Sequence, residues 1–115
     1  MALPDFQQLM LPILTLIGDG KEHQRQELFE KAAQMFNLTH EERTHLLPSG
    51  RQYTFDNRVG WARTYLKKAG LLSSPSRGII KITERGKEVL KNKPSEINVK
   101  FLEQFPEFRE FKKYQ

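Results

Sequence analysis

The chain has 115 residues, a formal net charge of +5 and no cysteine. This length suits a single domain with one modest core, and the lack of cysteine excludes disulfide bonds and cysteine-ligated zinc. No apolar run approaches the roughly 18 residues of a membrane helix and no signal-peptide pattern opens the chain, so we expect no membrane contact and a cytoplasmic location.

The positive charge is unevenly distributed along the sequence. Residues 1–50 hold four Lys/Arg against seven Asp/Glu, residues 51–93 hold eleven against three, and residues 94–115 hold four of each. A basic concentration in one part of a chain is the electrostatic footprint expected of a protein that contacts phosphates, although many basic stretches are only solvated surface. The pattern favours nucleic acid as a partner.

The first predicted helix begins at Asp5, which forms a capping box with Gln8. Its apolar face is formed by Phe6, Leu9, Met10, Ile13, Leu14 and Ile17. Pro12 lies inside this pattern and is expected to kink or split the helix, which ends at the Gly-Asp-Gly of residues 18–20. Residues 21–23 are a candidate short strand.

A second helix is predicted over residues 25–36. Its inward positions are Leu28, Ala32, Met35 and Phe36. A second capping box, Thr39 with Glu42, starts a short helix over residues 39–47 that the Pro-Ser-Gly of residues 48–50 closes. We interpret this short helix as an insertion before the third main helix.

Residues 54–82 are the central part of the prediction. Apolar residues at steps of three and four predict an amphipathic helix through Phe55, Val59, Ala62, Leu66 and Ala69. Two lysines in the last turn, followed by Gly70, favour a helix end there. A turn at residues 75–78 then precedes a β-branched run at residues 79–82. Helix, strand, basic hairpin tip and strand in this order predict a mainly α (α+β) fold, a winged helix-turn-helix with a small β wing.

The C-terminal part is predicted to be helical. Thr83 is expected to cap a helix ending near Leu90, and Pro106 fits the first turn of a last short helix. The aromatic residues of this part are Phe101, Phe105, Phe108, Phe111 and Tyr114. We therefore divide the chain into a winged-helix DNA-binding domain, residues 1–93, and a helical extension, residues 94–115. The extension is expected to pack on the domain or on a second copy in a homodimer.

The helical wheel of the central helix selects candidate DNA-binding residues. With Val59 and Leu66 inward, the opposite arc holds Asn57, Gly60, Trp61, Thr64, Lys67 and Lys68. Asn57 and Thr64 suit base edges, although an Asn near a helix start is also a common cap, and the lysines suit phosphates. Gly60 would let the backbone approach a groove. Trp61 is expected to pack partly buried, the alternative being apolar contact with a 5-methyl group.

Further candidates flank this arc. They are Arg51 and Tyr53 before the helix, Ser76 and Arg77 at the wing tip, Lys81 on the last strand, and Arg63 at the edge of the apolar face. Arg58 falls on the apolar side, so we expect its stem to pack and its head to find a carboxylate or helix carbonyls. The three histidines are not spaced as a metal set, and no catalytic residue, metal or cofactor is predicted.

Three motifs make the sequence similar to a known family. They are FDNRVGWA at residues 55–62, LKKAGLL at 66–72 and IT-x-x-G at 82–86, within a similarity that covers nearly the whole chain. The sequence resembles the N-terminal domain of Mrr-type restriction endonucleases. This resemblance implies a winged helix that binds double-stranded DNA, joined to a C-terminal nuclease domain that cleaves modified, typically methylated, DNA in a type IV restriction endonuclease.

The sequence departs from that family pattern because the nuclease half is absent. Such nuclease domains carry a PD-(D/E)xK site, in which carboxylates hold a divalent cation and a lysine assists the attacking water. Pro4-Asp5 and Glu110-Phe111-Lys112 match fragments of it, but lie about a hundred residues apart, so we attribute them to chance. The chain is therefore expected to be a piece of a longer protein and not to cut DNA.

Two other functions fit the predicted fold. A stand-alone transcription regulator would use the same winged helix and dimerise through the aromatic tail. A winged helix used for protein contact is the third possibility, and the concentration of charge on the central helix and wing argues against it.

Overall fold

The computed structural model describes residues 3–114. This part of the chain forms seven helices and three short strands, in the order α1 Phe6–Leu16, β1 His23–Gln24, α2 Arg25–Met35, α3 His40–Arg43, α4 Thr54–Lys68, β2 Leu72–Ser73, β3 Ile79–Ile82, α5 Glu84–Lys91, α6 Val99–Leu102 and α7 Pro106–Lys112. The strands form one antiparallel sheet with β3 in the middle, in the order β1-β3-β2. The protein is thus a mixed α+β fold, about half of it helical.

Helix α1 lies at the centre of the core. It packs against α2, α4 and α5. Its fully buried residues are Leu9, Met10, Ile13 and Leu14, followed by Ile17 at the helix end. The predicted capping box is confirmed, because Gln8 N–H donates to Asp5 Oδ1 and Asp5 N–H donates to Gln8 Oε1, each at 2.8 Å. Pro12 does not split the helix, since apolar residues on both sides of it are buried in the same core.

Strand β3 connects the start of α2 to the rest of the sheet. His23 pairs with Ile80 on one side of β3, and Leu72 pairs with Ile82 on the other. The chain continues from β1 directly into α2, where the N–H of Arg25 donates to the carbonyl of Gly78 at 2.8 Å. This bond places the first residue of α2 beside the tip of the β2–β3 hairpin.

The Thr83-to-Gly86 turn joins β3 to α5. The hydroxyl of Thr83 donates to the carbonyl of Gly70 at 2.6 Å and accepts from the N–H of Gly86 at 3.0 Å. Gly86 lies so close to the Leu71 carbonyl that a β-carbon there would collide with that oxygen and come within 2.7 Å of Ile82 Cγ1. The IT-x-x-G motif is therefore required by close packing of α5 against the end of α4 and the sheet.

The C-terminal helices pack on the rest of the same chain. Phe108 of α7 is fully buried, as are Ile97 and Leu102. The ring of Tyr65 in α4 contacts those of Phe6, Phe108 and Phe111, with centroids 5.1–5.6 Å apart and edge-to-face geometry. Of the aromatic residues whose packing partner was left open by the sequence, Phe108 and Phe111 thus contact α4, whereas Tyr114 is exposed.

The end of α2 differs from the prediction. Met35 was predicted to be buried, but 47% of its surface is exposed. The helix ends at Met35 and the chain then turns at Asn37, which has a φ of 50°, while Phe36 and Leu38 on either side of it pack against the core. The prediction for Met35 was wrong because the helical period does not show how far along α2 the neighbouring elements cover its inward side.

The predicted helix over residues 39–47 is also shorter than expected. Its capping box is present, with Glu42 N–H donating to Thr39 Oγ1 at 3.1 Å, but α3 ends at Arg43. Leu46 instead pairs with Tyr53 as an isolated antiparallel bridge, and Leu47 N–H donates to the Gln52 carbonyl at 2.9 Å. Residues 46–53 therefore form a tight loop that leads directly into α4.

The Gly86 contact gives a test of the fold. Gly86→Ala should lower the free energy of unfolding by roughly 1–3 kcal/mol, because the new methyl group meets a backbone carbonyl that cannot move aside cheaply. Urea unfolding followed by circular dichroism measures this change. The matched control is Glu88→Ala, an exposed position on the same helix, where a change of about 0.5 kcal/mol or less is expected. Equal stability of the two variants would contradict the close packing.

Candidate functional site

The outer side of α4 carries the residues that the helical wheel selected. They are Asn57, Gly60, Trp61, Thr64, Lys67 and Lys68, and we call this surface the α4 face. The opposite side of α4 is buried through Phe55, Val59, Ala62 and Leu66. Lys67 and Lys68 are exposed, and 48% of the Trp61 surface is accessible. The α4 face carries no acidic side chain.

Gly60 lies in the middle of the α4 face and leaves the helix backbone there without a side chain. A β-carbon built at this position would have no neighbouring atom within 4 Å, so the described part of the chain gives no packing reason for a glycine. A glycine inside a helix costs about 0.5–1 kcal/mol relative to alanine. Gly60 therefore lowers the stability of the helix and makes no contribution to the packing of the core.

The start of α4 brings three candidate residues close together. The N-cap of α4 is Tyr53, so Asn57 is not the cap, and its Nδ2 donates to Gln52 Oε1 at 3.2 Å. Tyr53 and Arg51 lie exposed in the preceding loop. These side chains form the N-terminal border of the α4 face.

Arg43 holds this border in place, a role that the sequence analysis missed. Its guanidinium donates to Asp56 at 2.7 Å and to Glu30 at 2.8 Å, and it lies 5.6 Å from the ring centroid of Tyr53. Burial raises the pKa of the Asp56 carboxyl, although the Arg43 charge opposes this shift. Arg43 thus ties α2, α3 and α4 together and pairs with the acidic side chain in the first turn of α4.

Arg58 lies away from the α4 face. Its Nη1 donates to the carbonyls of Leu3 and Pro4 at 3.3 and 3.1 Å, in a partly buried position. The sequence predicted a packed arginine whose head bonds to a carboxylate or helix carbonyls. The head does bond to carbonyls, but they belong to the segment before α1, which sequence spacing alone does not reveal.

Helix α7 borders the α4 face on one side. Lys68 Nζ lies 5.4 Å from the ring centroid of Phe111, and the Trp61 ring meets Tyr65 edge-on at 6.3 Å. Arg85 of α5 fixes this border, since it donates to the Ala69 carbonyl at 2.9 Å and to Glu107 at 2.7 Å.

The pKa of Glu107 reflects the same contact. A backbone hydrogen bond and the bond from Arg85 both hold the pKa of this carboxyl below its ordinary value. The ion pair between Glu107 and Arg85 is exposed, so it adds only a small contribution to the packing of α7 beside the last turn of α4.

A small recess borders the α4 face on the other side. It has a volume of about 200 Å³ and is lined by Arg25, Arg63, Lys67, Ser74, Ser76, Arg77 and the hairpin backbone at residues 78–80. Every charged side chain in this lining is basic. Burial, and next the charge of Arg25, lower the pKa of the Arg63 guanidinium.

The structure brings most of the predicted site residues into one surface. Arg63, Lys67, Ser76 and Arg77 line the recess, and Lys81 on β3 does not. Arg25 also lines it, although the sequence analysis treated this residue only as a helix start. The available signal was a basic residue two positions after the candidate strand at residues 21–23.

Other chemical groups of the described part of the chain are placed as follows. Across residues 3–114, no group of three or more His, Cys, Asp or Glu side chains could hold a metal ion. Glu110 pairs with Lys113 at 3.5 Å, and His23 bonds to Asp19 at 2.8 Å. None of the helices in this range is both long enough and apolar enough to cross a membrane.

Comparison with known proteins identifies a family. Residues 6–92 match the family model of the Mrr N-terminal domain. The chain is also similar to the type IV methyl-directed restriction enzyme EcoKMrr of Escherichia coli (strain K12), at 33% identity over 87 residues, which are 75% of this chain and 28% of that enzyme. The chain thus spans little more than a quarter of that relative's length. No solved structure shows significant similarity.

Two basic residues of α4 give a test of the site geometry. Arg58→Ala should lower the free energy of unfolding by roughly 1–3 kcal/mol, because two carbonyls lose a charged donor, and should leave binding to duplex DNA intact. Lys68→Ala should change stability by less than about 1 kcal/mol, since its contact with Phe111 is exposed, and should weaken DNA binding. Thermal melts and fluorescence anisotropy measure both. The assignment is wrong if Arg58→Ala melts like the wild type and loses DNA binding.

Proposed function

The chain belongs to the family of Mrr N-terminal domains, and we propose that it binds double-stranded DNA as part of a restriction system. One observation carries the proposal. The α4 face and the recess meet at Lys67, and the charged side chains of both are all basic, while Glu107 and Glu110 of α7 lie only at the border beside Lys67 and Lys68. Such a surface is the electrostatic requirement for binding a phosphate backbone.

The order of elements supports a winged-helix fold. Helices α1, α2 and α4 with strands β1, β2 and β3 follow each other as in that fold, and α3 is an insertion before the third main helix. In this proposal α4 is the recognition helix, because an α-helix fits the major groove of B-DNA. The β2–β3 hairpin is the wing, which contacts phosphates or the adjacent minor groove.

Base reading is assigned to the polar residues of α4. Asn57 can bond bidentately to adenine, and Thr64 lies on the same face. Gly60 lets the helix backbone approach the groove more closely than any other residue would. Arg51 and Tyr53 contact the flanking backbone, and Trp61 supplies apolar surface for a methyl group of a base.

We assign no catalytic role to this chain. The similar enzyme of Escherichia coli is named a methyl-directed restriction enzyme, and the match covers 28% of it. Our proposal places cleavage in a part of such proteins outside the Mrr N-terminal domain, and gives this domain the task of positioning that part on modified DNA in the cytoplasm.

The alternative of a stand-alone transcription regulator depends on dimerisation through the aromatic tail. The packing does not favour this alternative. Phe108 is fully buried in its own chain and Phe111 is partly buried against Tyr65, so much of the aromatic surface of the tail is already used within the chain.

The proposed phosphate contacts predict a strong salt dependence. If about five basic side chains neutralise phosphates, the logarithm of the affinity for duplex DNA should fall with the logarithm of salt concentration at a slope of about −4 to −5. Fluorescence anisotropy titrations at several potassium chloride concentrations measure the slope. Absence of duplex binding at low salt, or a slope near zero, would rule out the proposed function.

Replacing Gly60 should change the stability of the protein and its affinity for DNA in opposite directions. Gly60→Ala should raise the free energy of unfolding by about 0.5–1 kcal/mol, because alanine favours the helix and meets no neighbour. The same change should weaken DNA binding severalfold, because the methyl group lies between the helix and the groove. The control is Glu88→Ala on α5, which should leave binding unchanged. A stabilised Gly60→Ala variant with wild-type affinity would show that the backbone does not approach the DNA there.

A further inference from the structure

We propose that the recess between α2, α4 and the β2–β3 hairpin binds a single phosphate of the DNA backbone, with Arg63 as its anchor. This inference rests on the proposed function and adds to it a defined anion site and the residues that hold the anion. The lining side chains are Arg25, Arg63, Lys67, Ser74, Ser76 and Arg77.

The chemistry of the lining matches a phosphate. Its polar side chains are three guanidinium groups, one ammonium group and two hydroxyl groups, and no carboxylate lies among them. All of these groups can donate hydrogen bonds to an anionic oxygen. A guanidinium matches two oxygens of a phosphate at once.

The pairing of the arginines sets this recess apart. Arg43, Arg58 and Arg85 each bond to a carboxylate or to backbone carbonyls of the protein. Within residues 3–114, Arg25 and Arg63 have no such side-chain partner. Arg63 is partly buried, so it has lost some contact with water without gaining an anionic partner from the described part of the chain.

Two like charges lie next to each other in the recess. The charge of Arg25 adds to burial in lowering the pKa of Arg63, which means that the protonated guanidinium is less stable there than in water. An anion that binds both groups relieves this repulsion. The negative charge of a bound phosphate would therefore offset the repulsion between the two arginines, though not the burial of Arg63.

Backbone hydrogen bonds fix the shape of the recess in the unbound protein. Arg25 N–H donates to the Gly78 carbonyl at 2.8 Å, and Ile79 N–H donates to the Ser76 carbonyl at 3.1 Å. These bonds hold the start of α2 and the hairpin tip together on one side, while α4 supplies Arg63 from the other. A phosphate held there would fix the position of α4 along the groove.

The test removes the anchor charge and keeps a polar, hydrogen-bonding side chain. Arg63→Gln should unfold at the same temperature as the wild type or higher, because the repulsion with Arg25 is removed. It should also weaken binding severalfold on every duplex tested and reduce the salt slope by about 0.9, the value for one lost phosphate contact. Lys91→Gln, an exposed change of equal charge outside the recess, should leave the slope unchanged.

A second readout uses inorganic phosphate alone. In nuclear magnetic resonance titrations at constant ionic strength, the Nε–H signals of Arg25 and Arg63 should shift with added phosphate, and the Arg25 shift should be lost in Arg63→Gln. If Arg63→Gln lowers the melting temperature, Arg25→Gln takes its place, because Arg25 is exposed, and the same loss of slope is expected.

The outcomes separate the two proposals. If the wild type binds duplex DNA and Arg63→Gln, or Arg25→Gln in its place, keeps the wild-type slope, the phosphate site is overturned and the proposed function stands. If phosphate shifts neither arginine signal in the wild type, the site is also overturned. If the wild type binds no duplex, the proposed function fails and the assignment of a DNA phosphate to the recess fails with it.

Discussion

The packing of α4 against α1 is the contact on which the rest of the structure depends. Val59, Ala62 and Leu66 are buried on the α1 side of α4, and Leu9 and Ile13 of α1 have no exposed surface. Because an amphipathic helix has only one apolar stripe, burying it determines which residues remain outside. The α4 face is therefore a direct consequence of the core, and its register cannot change without disrupting that core.

The arginines show how the same residue type serves two purposes in one small domain. Arg43, Arg58 and Arg85 act as internal ties, each joining segments that are far apart in the chain. Arg25 and Arg63 are held beside each other with no partner in the described part of the chain. Net charge alone treats these five residues as equal, but only the first group is bonded to carboxylates or carbonyls of the described part of the chain.

Sequence reasoning was accurate where the determining contacts are local. The caps at Asp5, Thr39 and Thr83 depend on residues three positions away, and all three are present. The apolar period of α4 was also correct, since a fifteen-residue helix gives enough repeats to fix its inward side. The alternating burial of β3 followed from its short β-branched run.

The failures concern contacts between distant parts of the chain. Arg25 reaches the recess only because β1 pairs with β3, which brings it next to Gly78. The partners of Arg58 lie more than fifty positions earlier in the sequence. Leu46 was predicted to lie in the short helix, but it pairs with Tyr53. No local signal in the sequence distinguishes this bridge from a continued helix. The candidate site was thus predictable on α4 and the hairpin tip, but its α2 side was not.

The family match and the folded core end at different points of the chain. The match to the family ends at residue 92, yet Ile97, Leu102 and Phe108 beyond it are buried in the same core as α1 and α4. The segment recognisable by common descent is thus shorter than the segment that folds as one body. Expressed alone, residues 6–92 would lack the rings of Phe108 and Phe111 that pack on Tyr65, so the boundary for producing this protein is set by its aromatic contacts and not by its homology.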